Sequence, residues 1–176
     1  MNCAYSGTNT SMPIGPNVVP SRALAETTFF GSAAAAGITA PNLLFLLNAP
    51  TTPTFLYQFD SDGFGTMTYR GPVPRIFQLE STNVAASAGN NKTYTFSVVI
   101  NGVWQVNRAY ISGTILLSAD ATRKFGAAGD IGESTILTLI QLNPGDSIAI
   151  AVENIVDATD ITVSDLHLIL VGLPSS

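Results

Sequence analysis

Charged side chains are scarce in this sequence. They make up 11% of the 176 residues, while hydrophobic residues make up 46%; an average soluble domain is roughly 25% charged. Large exposed apolar patches are rare on monomeric proteins. We therefore expect copies of the chain to bury much of their exterior against one another. The alternative is a monomer coated with Ser, Thr and Asn.

Basic residues are scarcer than acidic ones. Seven Lys and Arg stand against twelve Asp and Glu, a formal net charge of −5, and the basic residues are scattered along the chain. A protein that binds nucleic acid needs clustered Lys and Arg to neutralise the phosphates. The sequence therefore argues against nucleic acid as a partner.

Long apolar runs and paired cysteines are also missing. The most apolar stretch, residues 43–47, is far shorter than the roughly 20 residues of a membrane-spanning helix, so we expect no membrane insertion. The first residues lack the basic and apolar regions of a secretory leader. The single cysteine, Cys3, cannot form an intrachain disulfide. We expect a fold that is independent of redox state and a protein that is not secreted.

Residues suited to catalysis or metal binding are few. His167 is the only histidine, and it lies in an apolar run without an adjacent Ser or Cys, whereas triad catalysis needs both base and nucleophile. We interpret it as a structural or interface histidine, with pH sensing as the alternative. Asp60 and Asp62 resemble the start of a calcium loop, but Gly71 replaces the Glu expected at its end. A hairpin turn is favoured there, although calcium binding stays open. We predict no catalytic residue, no metal and no cofactor.

The N-terminal segment differs from the rest of the chain. Residues 1–22 are rich in Asn, Ser, Thr and Gly, and their prolines interrupt both helix and sheet. The first 59 residues hold two charges, whereas disordered tails are normally highly charged. We interpret residues 1–22 as an extended arm that lies on another surface, and residues 23–176 as a single domain of ordinary size.

Short strands are predicted for most of the domain. Turn signals recur about every ten residues between β-branched and aromatic runs, as in a sandwich or barrel. The Ala-rich run 31–40 could form a helical turn or a strand, and LLFLL at 43–47 suits a buried strand. The absence of long helical periods disfavours α/β folds and helical bundles. The predicted strands are 54–59, 65–70, 74–80, 93–100, 103–110, 112–118, 135–142, 146–153 and 160–171.

The clearest local signal is a hairpin at Asn101-Gly102, a dipeptide favoured in type I′ turns. Its register places Val99 opposite Trp104 and Ile100 opposite Val103. The predicted core face carries Tyr94, Phe96, Val98, Ile100 and Val103. The opposite face carries Val99, Trp104, Val106 and Tyr110. That second face is too apolar for solvent, so we expect another subunit to cover it.

The final predicted strand, DLHLILVGL, is apolar on both alternating sets of residues. Two buried faces on an antiparallel strand imply a second packing partner, which in a homo-oligomer is the neighbouring subunit. The predicted subunit interface is therefore Val99, Trp104, Val106, Tyr110, Leu166, His167, Leu168, Ile169 and Leu170.

Three segments in order carry a resemblance: TYTFSVVINGVWQVNRAYISG, LTLIQLNPGDSIAIAVEN and ITVSDLHLILVGL. Together they resemble the TNF/C1q-like jelly rolls, especially those of viral and phage structural proteins. The shared features are a strand ending in Asn-Gly, a penultimate strand opened by Leu142, Gly145, Asp146 and Ile148, and an apolar last strand. The resemblance covers residues 55–173. It implies an all-β, antiparallel jelly-roll sandwich to which the arm is attached.

The resemblance also implies a function. Such jelly rolls pack as threefold trimers with their C-terminal strands near the axis, and they serve as receptor ligands, as spore or virion surface proteins, and as capsid vertex or cement components. We expect a non-enzymatic virion structural protein, a minor capsid, cement, vertex or spike component, that forms a homotrimer and docks on other capsid proteins through the arm. A carbohydrate- or receptor-binding head, with a host-surface receptor or glycan as partner, stays open, as does a small glycan hydrolase. The position of Trp104, the only tryptophan, in a predicted strand weakens the lectin alternative.

Overall fold

The structure, a computed structural model, describes residues 23–104 and 120–173, with the backbone alone for residues 30–33. These residues form twelve β-strands and no helix, so the predicted all-β class is confirmed. The strands are β1 (Leu24–Ala35), β2 (Phe45–Leu46), β3 (Thr52–Tyr57), β4 (Phe59–Ser61), β5 (Met67–Tyr69), β6 (Arg75–Ser87), β7 (Lys92–Ile100), β8 (Val103–Trp104), β9 (Asp120–Phe125), β10 (Ile131–Leu142), β11 (Ser147–Asn154) and β12 (Ile161–Gly172).

The strands form two antiparallel sheets packed face to face. The five-stranded sheet has the order β10-β6-β12-β1-β3. The seven-stranded sheet has the order β4-β5-β11-β7-β8, with β2 beside β11 and β9 beside β7. Strands distant in sequence are neighbours in both sheets, so the chain crosses repeatedly between them. The predicted antiparallel jelly-roll sandwich is confirmed.

The core lies between the sheets because most strands alternate inward apolar residues with outward ones. In β10 the alternation is strict: every second residue, from Gly132 to Leu142, is buried, and the residues that alternate with these are exposed. An aromatic cluster packs at one end of the core. The ring centroids of Phe59, Tyr69 and Phe77 lie 5.1–5.3 Å apart in tilted or edge-on pairs, a favoured geometry for aromatic side chains.

The predicted hairpin at Asn101-Gly102 is confirmed. Val99 pairs with Trp104 and Ile100 with Val103. Both turn residues have positive φ, 52° for Asn101 and 74° for Gly102, as a type I′ turn requires. The inward face of β7 is buried as predicted, but Val103 is 58% exposed. The prediction that Val103 belongs to the core face is therefore wrong.

Other local predictions are only partly correct. The Ala-rich run is a strand as far as Ala35, the end of β1. In LLFLL only Phe45 and Leu46 form a strand, and Leu43 and Leu46 are exposed, so the prediction of a buried strand is wrong. Strand β9 was not predicted, because its charged sequence DATRKF lacks the apolar alternation that marks a half-buried strand.

Several predictions lie outside the described residues. They are the arm at residues 1–22, the strand at 112–118, and residues 105–110 of the strand at 103–110. Within the described ranges, no helix has the length and apolar character needed to cross a membrane.

Candidate interaction surface

The outward side of the five-stranded sheet is the candidate functional site, and we call it the open face. Residues paired across neighbouring strands point to the same side of a sheet. We call a set of residues paired across the strands a row. One row points inward and is buried, and it consists of Ile136, Ser81, Leu168 and Thr27. The next row is Leu137, Glu80, Ile169, Glu26 and Phe55. That row therefore points away from the core.

The rows on either side extend this surface. One contains Leu139, Gln78, Val171, Leu24 and Tyr57, and the other contains Thr135, Thr82, His167, Thr28 and Thr52. Two further rows carry Glu133, Val84 and Asp165, and Ile131, Ala86 and Thr162. The open face thus continues across all five strands.

The open face is rich in exposed apolar side chains. Leu137 is 57% exposed, Leu139 41% and Phe55 49%. Ile131 and Tyr57 are also exposed, and Ile169 and Val171 in the central strand are half-buried. Contiguous exposed apolar surface of this kind marks an interaction site on soluble proteins.

Charge on the open face has one sign. Its acidic residues are Glu26, Glu80, Glu133 and Asp165. The Lys and Arg residues of the described ranges lie elsewhere: at strand ends, in loops, or on β9. His167 is thus the one side chain on this face, among the residues described, that can become cationic. Its Nε2 lies 2.9 Å from Oε1 of Glu26, and each side chain is 33% exposed.

The outward side of the seven-stranded sheet is different, and we call it the closed face. Its central residues are buried within a single chain: Thr95, Ser97, Val99, Ala149, Ala151 and Glu153. The register confirms that they share one side, since Ala149 pairs with Val99, Ala151 with Ser97, and Glu153 with Thr95. No second subunit is needed to remove this surface from water.

One ionisable group is enclosed on the closed face. Glu153 is 6% exposed. Burial raises the pKa of its carboxyl group, because the charged form loses hydration, and the negative charge of Asp120 raises it further. This carboxylate destabilises the fold when it is ionised.

The structure places the residues predicted at the subunit interface in different parts of the fold. Leu166, Leu168 and Leu170 have no exposed surface and lie in the core between the two sheets. Their placement at an interface is corrected, because the chain itself buries them. His167 and Ile169 alternate with them and lie on the open face.

The remaining predicted interface residues belong to the other sheet. Val99 is 4% exposed on the closed face, so its placement at an interface is also corrected, while Trp104, paired with it, is 37% exposed. Val106 and Tyr110 lie outside the described residues. The prediction thus combined positions from two faces that point in opposite directions.

Sequence reasoning missed several residues of the open face. Leu137 and Leu139 occupy the outward positions of β10, where a solvated strand would be polar, and this excess could have been detected. Glu26 and Phe55 could not be assigned, since the contact between Glu26 and His167 joins residues 141 positions apart. It depends on the pairing of β1 with β12.

The aspartates considered for calcium are engaged in a hairpin. Strands β4 and β5 pair as predicted for a turn at this position. Asp60 forms an ion pair with Arg70 at 2.7 Å. Oδ1 of Asp62 accepts hydrogen bonds from the backbone N–H groups of Phe64 and Thr66, at 2.7 and 3.0 Å. Within the described ranges, no three His, Cys, Asp or Glu residues converge on a metal position.

Comparison with known proteins gives matches in structure alone. No family model and no curated protein matches the chain. Eiger TNF from S. frugiperda is similar in structure with a TM-score of 0.56 and 12% sequence identity, over 88% of this chain and 96% of that one. Murine APRIL at pH 5.0 is similar with a TM-score of 0.54 and 11% identity, over 86% and 99% of the two chains.

These similarities extend over nearly the whole of each solved structure. At such low identity they show the fold and not the activity. The chain has a TNF-like jelly-roll fold. Of the resemblance inferred from the sequence, this structural part is confirmed.

Proposed function

We propose that the chain is a non-catalytic virion structural protein that forms a homotrimer through the open face and docks on other capsid proteins through residues 1–22. The observation that carries self-association is the apolar open face, with Leu137 and Leu139 exposed in a chain that has little charge with which to keep such a surface solvated.

The size of the open face suits a stable interface. Five strands spaced about 4.8 Å apart give a width of about 20 Å, and strands of twelve residues give a length of about 40 Å. The resulting area of about 800 Å² equals what one partner buries in a single standard protein–protein interface, so in a trimer it supplies about half of that to each of two neighbours. Threefold packing is what the resemblance to TNF/C1q-like jelly rolls implies.

Sedimentation of the full chain tests self-association, with two matched variants. Leu137→Asp places a charge on the open face, whereas Val103→Asp places the same charge on an equally exposed residue of the other sheet. We expect the wild type and Val103→Asp to sediment as trimers at micromolar concentration and Leu137→Asp to sediment as a folded monomer. A wild-type monomer, or equal dissociation of both variants, would contradict the proposal.

The virion role rests on the resemblance and on the composition of residues 1–22, which are uncharged apart from Arg22. The test is deletion of these residues followed by isolation of the parent particle. We expect the truncated protein to form the same oligomer but to be absent from particles. Normal incorporation of the truncated protein would remove the docking role of the arm.

A carbohydrate- or receptor-binding head is the second candidate. Phe55 and Tyr57 point to the same side of the edge strand β3 and are both exposed, and exposed aromatic rings can stack on sugars. Glycan-array binding by the wild type that is lost in a Phe55→Ala, Tyr57→Ala variant, while the oligomer persists, would favour this candidate.

The proposal includes the absence of hydrolytic activity. The acidic residues available for such chemistry are divided between faces, since Glu80 and Glu133 lie on the open face and Glu153 on the closed face. We expect no turnover of a glycan and peptide panel. Turnover that disappears in a Glu80→Gln, Glu133→Gln, Glu153→Gln variant would replace the structural function by a hydrolytic one.

A further inference from the structure

We propose that self-association through the open face is controlled by protons, so that copies associate tightly at mildly acidic pH and separate as the pH rises toward 8. The inference rests on the proposed self-association and adds its regulation. Its basis is the arrangement of ionisable side chains among the exposed apolar residues of this face.

Every strand of the five-stranded sheet except the edge strand β3 brings a carboxylate to the open face. Strand β3 contributes a phenol. The ionisable groups, strand by strand, are Glu133 on β10, Glu80 on β6, Asp165 and His167 on β12, Glu26 on β1 and Tyr57 on β3. The described part of the face therefore carries four carboxyl groups.

These carboxylates lie among apolar side chains. Glu80 has Leu137 and Ile169 as its cross-strand neighbours, and Glu26 has Ile169 and Phe55. When a second copy covers the face, the carboxylates lose water and approach carboxylates of the same sign, and both effects favour their neutral form. Association therefore takes up protons, and a process that takes up protons is favoured by falling pH.

His167 supplies the one side chain of the described open face that can carry a positive charge. Histidine is the side chain that normally changes charge between pH 5 and 8. The protonated ring beside Glu26, at 2.9 Å, supplies the positive charge that offsets one carboxylate, and Asp165 lies two residues earlier on the same side of β12. Loss of that proton leaves the four carboxylates without a cation among the described residues of the face.

A second copy fits this face better than a basic partner does. A cationic protein would complement four carboxylates, but it would leave Leu137, Leu139 and Ile131 without apolar contacts. Binding of a second copy and binding of a cationic partner would respond to pH in opposite directions. Ionised carboxylates strengthen binding to a cationic partner and weaken binding between identical acidic faces.

Sedimentation of the full chain between pH 5.5 and 8.0 at constant ionic strength tests the inference. We expect the association constant to fall at least tenfold over this range. In Glu80→Gln, association at pH 8.0 should become stronger than in the wild type. In His167→Gln, association at pH 5.5 should weaken and the dependence on pH should flatten. Asp60→Asn, which removes one charge from strand β4 of the other sheet, should behave as the wild type.

The outcomes separate this inference from the function on which it rests. An oligomer whose association constant does not change with pH would overturn proton control and leave self-association standing. A monomer at every pH would overturn both. Association that strengthens with rising pH would also overturn proton control, because the ionised carboxylates would then favour contact between copies. Circular dichroism of each variant establishes that differences in association do not arise from unfolding.

Discussion

The open and closed faces come from the same kind of sequence pattern, but only the closed face is buried by the chain itself. Both belong to strands that are apolar on two sides, and both indicate a covered surface. On the closed face, Val99 and Ala149 are buried within one chain. On the open face, Leu137 and Leu139 are exposed. Two-sided apolarity in a strand therefore does not show whether the chain itself buries the second side.

The contrast between a side buried by the chain and an exposed side is clearest in strand β12. Leu168 and Ile169 are adjacent in sequence and similar in volume, but the first is fully buried in the core and the second lies half-buried on the open face. A charge placed at Leu168 lies between the two sheets. A charge placed at Ile169 can reach solvent in the monomer.

We expect the largest effect from this pair of residues. Leu168→Asp should lower the free energy of unfolding by about 3–5 kcal/mol, because it leaves an unpaired charge in the core. Ile169→Asp should cost the monomer far less and act on association instead. Chemical denaturation together with sedimentation measures both quantities. A Leu168→Asp protein as stable as the wild type, or an Ile169→Asp protein that loses as much stability as Leu168→Asp, would show that the sides of β12 have been wrongly assigned.

A smaller effect is expected where two loops are joined at one end of the seven-stranded sheet. Asp146 accepts hydrogen bonds from the backbone N–H and side-chain amide of Asn143, at 2.7 and 3.1 Å, and from the side-chain amide of Asn101 at 2.7 Å. Partial burial opposes the ionised form, but these hydrogen bonds outweigh it and lower the pKa of Asp146.

Asp146→Ala should therefore destabilise the fold by about 1–2 kcal/mol at neutral pH. Because the folded-state pKa is lowered, the stabilisation is present above the ordinary pKa of an aspartate and is lost as the pH falls through the folded-state value. Stability curves at several pH values measure this. These loops lie outside the open face, so an equal loss of association would contradict the comparison of the two faces.

The buried carboxylate of the closed face predicts an effect of opposite sign. Burial and then Asp120 raise the pKa of Glu153, so the wild type loses stability as the pH rises from the ordinary glutamate value through the folded-state one. Glu153→Gln should therefore be more stable than the wild type at pH 7, on the order of 1 kcal/mol. The difference should vanish at acidic pH. Glu80→Gln, on the open face, should leave monomer stability unchanged.

The smallest expected effect is a spectroscopic one. Trp104, the only tryptophan, is paired with Val99 in the seven-stranded sheet and lies away from the open face. Its fluorescence emission should not shift when the protein is diluted from the associated to the dissociated state. A red shift on dissociation would place the interface at Trp104, on the side that the sequence first indicated.

The sequence predicted the features that depend on local patterns. The hairpin at Asn101-Gly102, the antiparallel strands after residue 54 and the inward face of β7 follow from turn chemistry and from the two-residue period of side chains. The resemblance to TNF/C1q-like jelly rolls supplied the topology.

The features that were missed depend on contacts between distant segments. The sequence could not show that Leu168 packs inside the sandwich and Val99 beneath its own chain, since both lie in strands apolar on two sides. Nor could it show that Glu26 meets His167, because their strands are neighbours only in the folded sheet. Leu43 and Leu46 were misassigned because an apolar run indicates burial only when the fold provides a surface to cover it.

The place of β12 in the five-stranded sheet bears on how the protein is made. Of the twelve described strands it is the last to leave the ribosome, yet it lies between β6 and β1. Until it emerges, the pair formed by β6 and β10 cannot join the pair formed by β1 and β3, and the apolar surfaces of both remain uncovered. Pairing between segments so distant in sequence is slow, and exposed strand edges in such intermediates promote aggregation. We therefore expect chains that end before β12 to aggregate, because both pairs of strands keep their apolar surfaces uncovered.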